Sequence, residues 1–192
     1  RAAAGGRVPD GRAVSDESTL APASVSLTYD ERTAMQKITT WLWFDTEAEQ
    51  AAEFYTSVFP DSRITDVSRY GEAGPRPAGT VMTVSFELMG RQFVGLNGGP
   101  EHKIEGAGIS FMVECESQEE VDAYWGPLAD GGREIACGWV SDRYGVAWQI
   151  VPRRLHELLS DPDRDKAQRV MAAMLQMTKI EVAGLERAAA AA

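Results

Sequence analysis

Between Gln36 and Arg153 the apolar positions run through the same order twice. The first round opens with KITTWLWFD, an aromatic and β-branched run that predicts a strand. Ala51, Phe54, Tyr55 and Val58 then recur at helical spacing, and Pro60-Asp61 ends that run. Thr46 and Glu49 supply the S/T-x-x-E signal expected at the start of this helix. Two strands follow the helix. In TVMTVSFELM, Met82, Val84, Phe86 and Leu88 alternate onto one face, and Gly90 turns the chain back into RQFVGLN as a hairpin.

The second round opens with GISFMVECE, again strand-like, with Ser117 and Glu120 as its helix-start signal. Val121, Tyr124, Trp125 and Leu128 each lie 70 residues after their counterparts in the first helix. Asp130-Gly131-Gly132 stops this helix, and Gly126-Pro127 predicts a bend or a shortened end. REIACGWV, a turn at Asp142-Arg143-Tyr144-Gly145, and VAWQIV complete the round. The pattern is a duplicated βαβββ unit and the fold class is α+β. A slip of one residue qualifies it: Thr46 and Ser117 differ by 71, and a one-residue shift exchanges the two faces of a strand. Ile109 and Ser110 could therefore exchange roles.

After Pro152 the pattern is helical. Asp161-Pro162 suits a helix start, and Val170, Met174 and Met177 form a stripe flanked by Met171 and Leu175. Such a stripe reads first as core packing and second as a subunit contact. The Ala-rich residues 188–192 read as a frayed tail. Residues 1–34, rich in Ala, Gly, Ser, Pro and Arg without periodicity, read as a flexible leader. The expected organisation is thus a leader (1–34) and one domain (35–192), comprising module one (36–99), module two (107–153) and a C-terminal helical extension (154–192).

Composition narrows the function classes. The 192 residues are 44% hydrophobic and 25% charged, an ordinary globular balance. A net charge of −10 disfavours nucleic acid and anionic membrane as partners, and no apolar run is long enough to span a bilayer. Two cysteines, Cys115 and Cys137, make no disulfide framework or zinc motif, which implies a reduced, cytoplasmic setting.

WLWFDTEAEQAAEFYTSVFPDSRI, CGWVSDRYGVAWQIVP and the C-terminal DPDRDKAQRVMAAMLQMTKIEVAGLERA resemble, in order, the PhnB-like proteins of the glyoxalase/bleomycin-resistance (vicinal oxygen chelate) superfamily. Within it the similarity is to the branch catalogued as demethylubiquinone 3-methyltransferase-like. The resemblance implies two βαβββ modules whose sheets form a half-barrel around a cleft, commonly in a homodimer. The methyltransferase label finds no support in the residues. A nucleoside-cofactor enzyme of that kind is normally a doubly wound parallel sheet with a Gly-rich loop after its first strand, where this chain has Asp45-Thr46-Glu47.

Superfamily enzymes hold a divalent ion with His and Glu on cleft strands. The matching positions here are near Thr39, Asn97, Ile109 and Gln149, a set poor in charge. His102 falls in the polar linker between modules, and His156 in RRLHELL reads as a helix residue. No metal and no cofactor are expected. The cleft residues expected to bind a ligand are Trp41, Trp43, Asn97, Phe111, Cys137, Trp139 and Gln149, with Gly95 and Val113 beside them. This aromatic set with two amides suits a small hydrophobic or aromatic molecule, and simple packing is the competing explanation. Cys137 reads as a small hydrophobe because no histidine is expected near it to generate a thiolate. Asp142 and Arg143 read as turn partners, with Arg143 as a carboxylate clamp the sharper alternative, and Glu114 and Glu116 as cap partners. Two functions remain open: a metal-free binding protein, and a lyase, isomerase or dioxygenase-type enzyme recruiting a metal through Asn97, Gln149 and water.

Overall fold

The computed structural model describes residues 38–191. The leader expected at 1–34 lies outside the described residues. Module one consists of β1 (Thr40–Phe44), α1 (Ala48–Val58), β2 (Arg63–Arg69), β3 (Val81–Leu88) and β4 (Arg91–Asn97). Module two consists of β5 (Phe111–Cys115), α2 (Gln118–Ala129), β6 (Arg133–Glu134), β7 (Trp139–Ser141) and β8 (Ala147–Pro152). Helices α3 (Arg153–Leu159), α4 (Arg164–Met174) and α5 (Val182–Ala190) follow. Each module forms one four-stranded sheet, ordered β1-β4-β3-β2 and β5-β8-β7-β6, in which the first strand pairs in parallel with the last and the other pairings are antiparallel. The expected α+β class with two βαβββ units and C-terminal helices is the observed one.

One buried cluster serves both modules. Leu42, Phe44, Val84, Phe86 and Phe93 from sheet one join Val113, Cys115, Val140, Trp148 and Ile150 from sheet two, with α1 and α2 in the same core. Tyr55 of α1 stands within 6.0 Å of Phe86 and 5.6 Å of Trp148, ring centre to ring centre, and so ties the modules together. Phe59 adds stacking on Tyr124 and a contact with Trp148. Because both inner faces turn toward this core, the other face of each sheet turns away from it.

The one-residue slip has a visible cause. Three residues, Asp45-Thr46-Glu47, join β1 to α1, whereas two, Glu116-Ser117, join β5 to α2. With the shorter connector Ser117 falls at the N-cap and accepts from Glu120 N at 3.3 Å, while Glu120 Oε2 accepts from Glu116 N. The longer connector moves Thr46 out of the cap, so the capping box expected there does not form. Glu47 occupies the N-cap, its carboxylate turned back to accept from Thr46 N rather than from the helix, and Asn97 Oδ1 of β4 accepts from Ala48 N at 2.8 Å instead. Gly95 permits this approach, since a Cβ there would stand 3.1 Å from Ala48 Cβ and 3.3 Å from Phe44.

Three further expectations change. Pro127 sits inside α2 without ending it, and α4 is capped by Asp163 rather than Asp161. The C-terminal alanines are helical to Ala190 because Arg169 donates to the carbonyls of Ala188 and Ala189. A second cluster, with Leu155, Leu158, Val170, Ile180 and Leu185, packs the extension against Val151 of β8, with Met174 and Met177 joining it as expected.

Gly95→Ala should destabilise the protein by about 1–3 kcal/mol through overpacking against α1. Gly71→Ala, where a Cβ meets nothing within 4 Å, should cost about 0.5 kcal/mol or less. Urea unfolding midpoints of the two variants check the contrast.

Candidate functional site

Strand register decides what each outward face presents, because residues paired across strands project to the same side. On sheet one the outward rows are Trp41–Val94–Ser85–Asp66 and Trp43–Leu96–Thr83–Ser68. Trp41 is 58% exposed. Trp43 is half-buried, donates from Nε1 to Gly99 O at 2.8 Å, and meets the His102 ring edge-on at 4.7 Å. On sheet two the row Met112–Gln149–Trp139 faces outward, Met112 at 52% exposure. Ser110 Oγ accepts from Gln149 Nε2 at 2.9 Å. Ser110, not Ile109, therefore takes the place beside Gln149, as the 71-residue strand spacing dictates.

Four of the seven expected ligand residues thus lie on outward faces: Trp41, Trp43, Trp139 and Gln149. The other three are placed differently. Phe111 projects to the shared core, meeting Phe93 at 5.1 Å and Trp148 at 5.5 Å, and Val113 follows it. Asn97 is buried and its side chain is fully engaged: Oδ1 caps α1 and Nδ2 donates to Val81 O, while its backbone carbonyl accepts from Tyr70 Oη. Cys137 lies in the β6–β7 loop at φ 62°, its N–H bonded to Met177 O. That loop and Val151 are where the C-terminal helices meet sheet two, bounding one end of its outward face.

Glu87 is the residue that sequence reasoning missed. It alternates with the core residues Phe86 and Leu88, a phase that normally means solvent, yet its side chain is 1% exposed. Oε2 accepts from Arg63 Nη2 at 2.9 Å, and Oε1 has no hydrogen-bond partner among the described residues. Its row, Arg63–Glu87–Gln92, adjoins the Trp41 row. Alternation supplied its face, but no sequence signal supplied its burial.

Asp142 anchors the turn after β7. It is buried and accepts from Tyr144 N, Val146 N and Trp148 Nε1 at 2.8–3.0 Å. Burial raises its carboxyl above the ordinary value, against the pull of these bonds. Burial, and after it the Asp142 charge, pushes the Tyr55 phenol well above 10. Arg143 pairs with Asp130 at 2.6 Å and lies 4.8 Å over the Phe54 ring, as a turn residue should. Glu114 and Glu116 both pair with Arg153. The Cys115 thiol, pushed up to about 12 mainly by burial, packs as a small hydrophobe. Among the described residues, no three His, Cys, Asp or Glu side chains gather as a metal cluster, and no helix is long and apolar enough to cross a membrane.

Residues 36–151 match the family described as 3-demethylubiquinone-9 3-methyltransferase. The chain belongs to this family. A PhnB protein of Bacillus cereus, described as a putative 3-demethylubiquinone-9 3-methyltransferase, is 38% identical over 61% of this chain and 99% of its own, with a TM-score of 0.56. A Pseudomonas aeruginosa protein, 22% identical over 60% of this chain and 96% of its own, shares the fold at a TM-score of 0.50. No match is found among curated proteins. The family match ends at 151, so α3–α5 lie beyond it.

Two variants test these assignments. Asn97→Ala strands the Ala48 N–H and the Val81 carbonyl, and should cost about 1–3 kcal/mol in urea unfolding. For Asp142, the folded state holds its proton to a higher pH than the unfolded chain, whose carboxyl titrates near about 4. The folded state therefore binds more protons across that window, and the Asp142 contribution to stability falls as pH rises through it. The stability difference between wild type and Asp142→Asn should shift against wild type from about pH 4 upward and then level off.

Proposed function

We propose that this PhnB-like chain binds a small aromatic molecule on the outward sheet faces, in a site completed by a second copy in a homodimer. The supporting observation is the character of these faces. An acidic protein leaves Trp41 and Met112 open to solvent, on sheets whose edge strands β1 and β5 are paired on one side only among the described residues. Exposed apolar surface and unpaired strand edges both favour association. Each face alone is a shallow shelf, and a concave pocket needs a second wall. Two copies, each placing one sheet against the other's, would enclose Trp41 and Trp43 with Trp139 and Gln149.

Within such a site the indole rings offer stacking, and the Gln149 amide, already held by Ser110, fixes orientation. The methyltransferase activity named for the family has no counterpart in the architecture. Both sheets are mixed, and Asp45-Thr46-Glu47 follows β1 where a Gly-rich loop would be required.

Sedimentation analysis should give twice the 20.9 kDa chain mass. Aromatic metabolites bearing a hydroxyl or amine should quench tryptophan emission, and Trp41→Ala and Gln149→Ala should each weaken that binding about tenfold. A monomer that gives no response across a broad panel would overturn the reading. Stoichiometric divalent metal in protein purified without chelator would replace it with a metal-recruiting enzyme.

A further inference from the structure

We propose a second ligand site: the pocket between the two modules, which borders the outward face of sheet two at Ser110 and Met112, binds a planar aromatic carboxylate through Arg91. The cavity measures about 750 Å³, within the range that holds small organic ligands. Phe93 from sheet one, Phe111 and Trp148 from sheet two, and Phe59 at the end of α1 line it. Phe59, Phe93 and Trp148, each at most 4% exposed, form the floor, and the half-buried Phe111, edge to face with Phe93 at 5.1 Å, is the ring against which a further aromatic plane can pack.

Arg91 is the cation that lines this pocket. The Arg91 guanidinium lies 5.7 Å from the Phe111 ring centre and 6.0 Å from that of Phe93, and it makes no hydrogen bond or ion pair among the described residues. The acidic group that also lines the cavity, Glu114, shares Arg153 with Glu116, at 3.1 and 2.6 Å. What sets Arg91 apart from other exposed arginines is its place above the Phe111 and Phe93 rings, where a ligand carboxylate can pair with it while the ligand's ring packs below. An aromatic body with a carboxylate at one end satisfies the rings and the cation together.

The rim gives independent support. Met89 and Gly90 form the tip of the β3–β4 hairpin with φ of 48° and 82°, a turn that favours Asn or Gly at both positions. A methionine is kept there at a conformational cost, half exposed and lining the cavity. Its flexible thioether can fold over an apolar ligand, which neither Asn nor Gly could do.

The probe pair is 2-naphthoate and its neutral isostere 2-naphthamide, titrated by calorimetry and by quenching of Trp148 emission. Naphthoate should bind at least tenfold more tightly than the amide. Arg91→Gln should erase that preference, and Met89→Asn should weaken both ligands while leaving the melting temperature equal or higher. Trp41→Ala, which touches neither the rings nor Arg91, should leave naphthoate binding unchanged, which separates this site from the one proposed at Trp41. Equal affinity for the two probes, no binding at millimolar concentration, a preference that survives Arg91→Gln, or loss of naphthoate binding in Trp41→Ala would each overturn the proposal.

Discussion

Burial of Tyr55 against both Phe86 and Trp148 is the contact on which the arrangement depends. A four-stranded sheet with a single helix is a small unit whose own core gives it only marginal stability. Here two such half-solutions share one interior, and α1 supplies the rings that bridge them. The consequence is geometric: with the inner sides used by the shared core, any chemistry on the outer sides belongs to shallow surfaces, and the space left between the halves becomes a pocket. Both ligand readings follow from the same packing decision.

The duplicated unit was legible from the sequence because its helical stripes, at a spacing of 70, repeat residue for residue. Strand faces were legible only where one side was polar. Along β3 the alternation of Val84 and Phe86 with Thr83 and Ser85 leaves no ambiguity. Along β1, Trp41 and Trp43 compete with Leu42 and Phe44 for the inside, and the match of Trp41 and Trp43 to the outward side could be read only from the family pattern. In β5 the same contest sent Phe111 and Val113 inward and Met112 outward, opposite to expectation, because that strand runs 71 residues behind β1 while the helices run 70 apart. Asn97 was misread for a related reason: its phase on β4 matches Phe93 and Gly95, and its amide is needed by the backbone of α1.

Electrostatics separate structure from opportunity. Asp142 has a donor at every side, so its buried carboxylate holds a turn and offers nothing to a ligand. Glu87 and Arg91 differ from it in kind, each having chemical capacity left over. Such leftover capacity is invisible to composition and periodicity, since it depends on which neighbours fail to arrive.

The unequal connectors carry a kinetic meaning. Helix α2 starts from a cap three residues away in its own segment, so its first turn can close as soon as that segment is made. Helix α1 borrows its cap from a residue 49 positions downstream and must wait for β4 to dock. Long-range closure is slower than local closure. The two copies of one motif are therefore not equivalent in time: the second is equipped to order itself early, and the first is completed only when its own last strand returns.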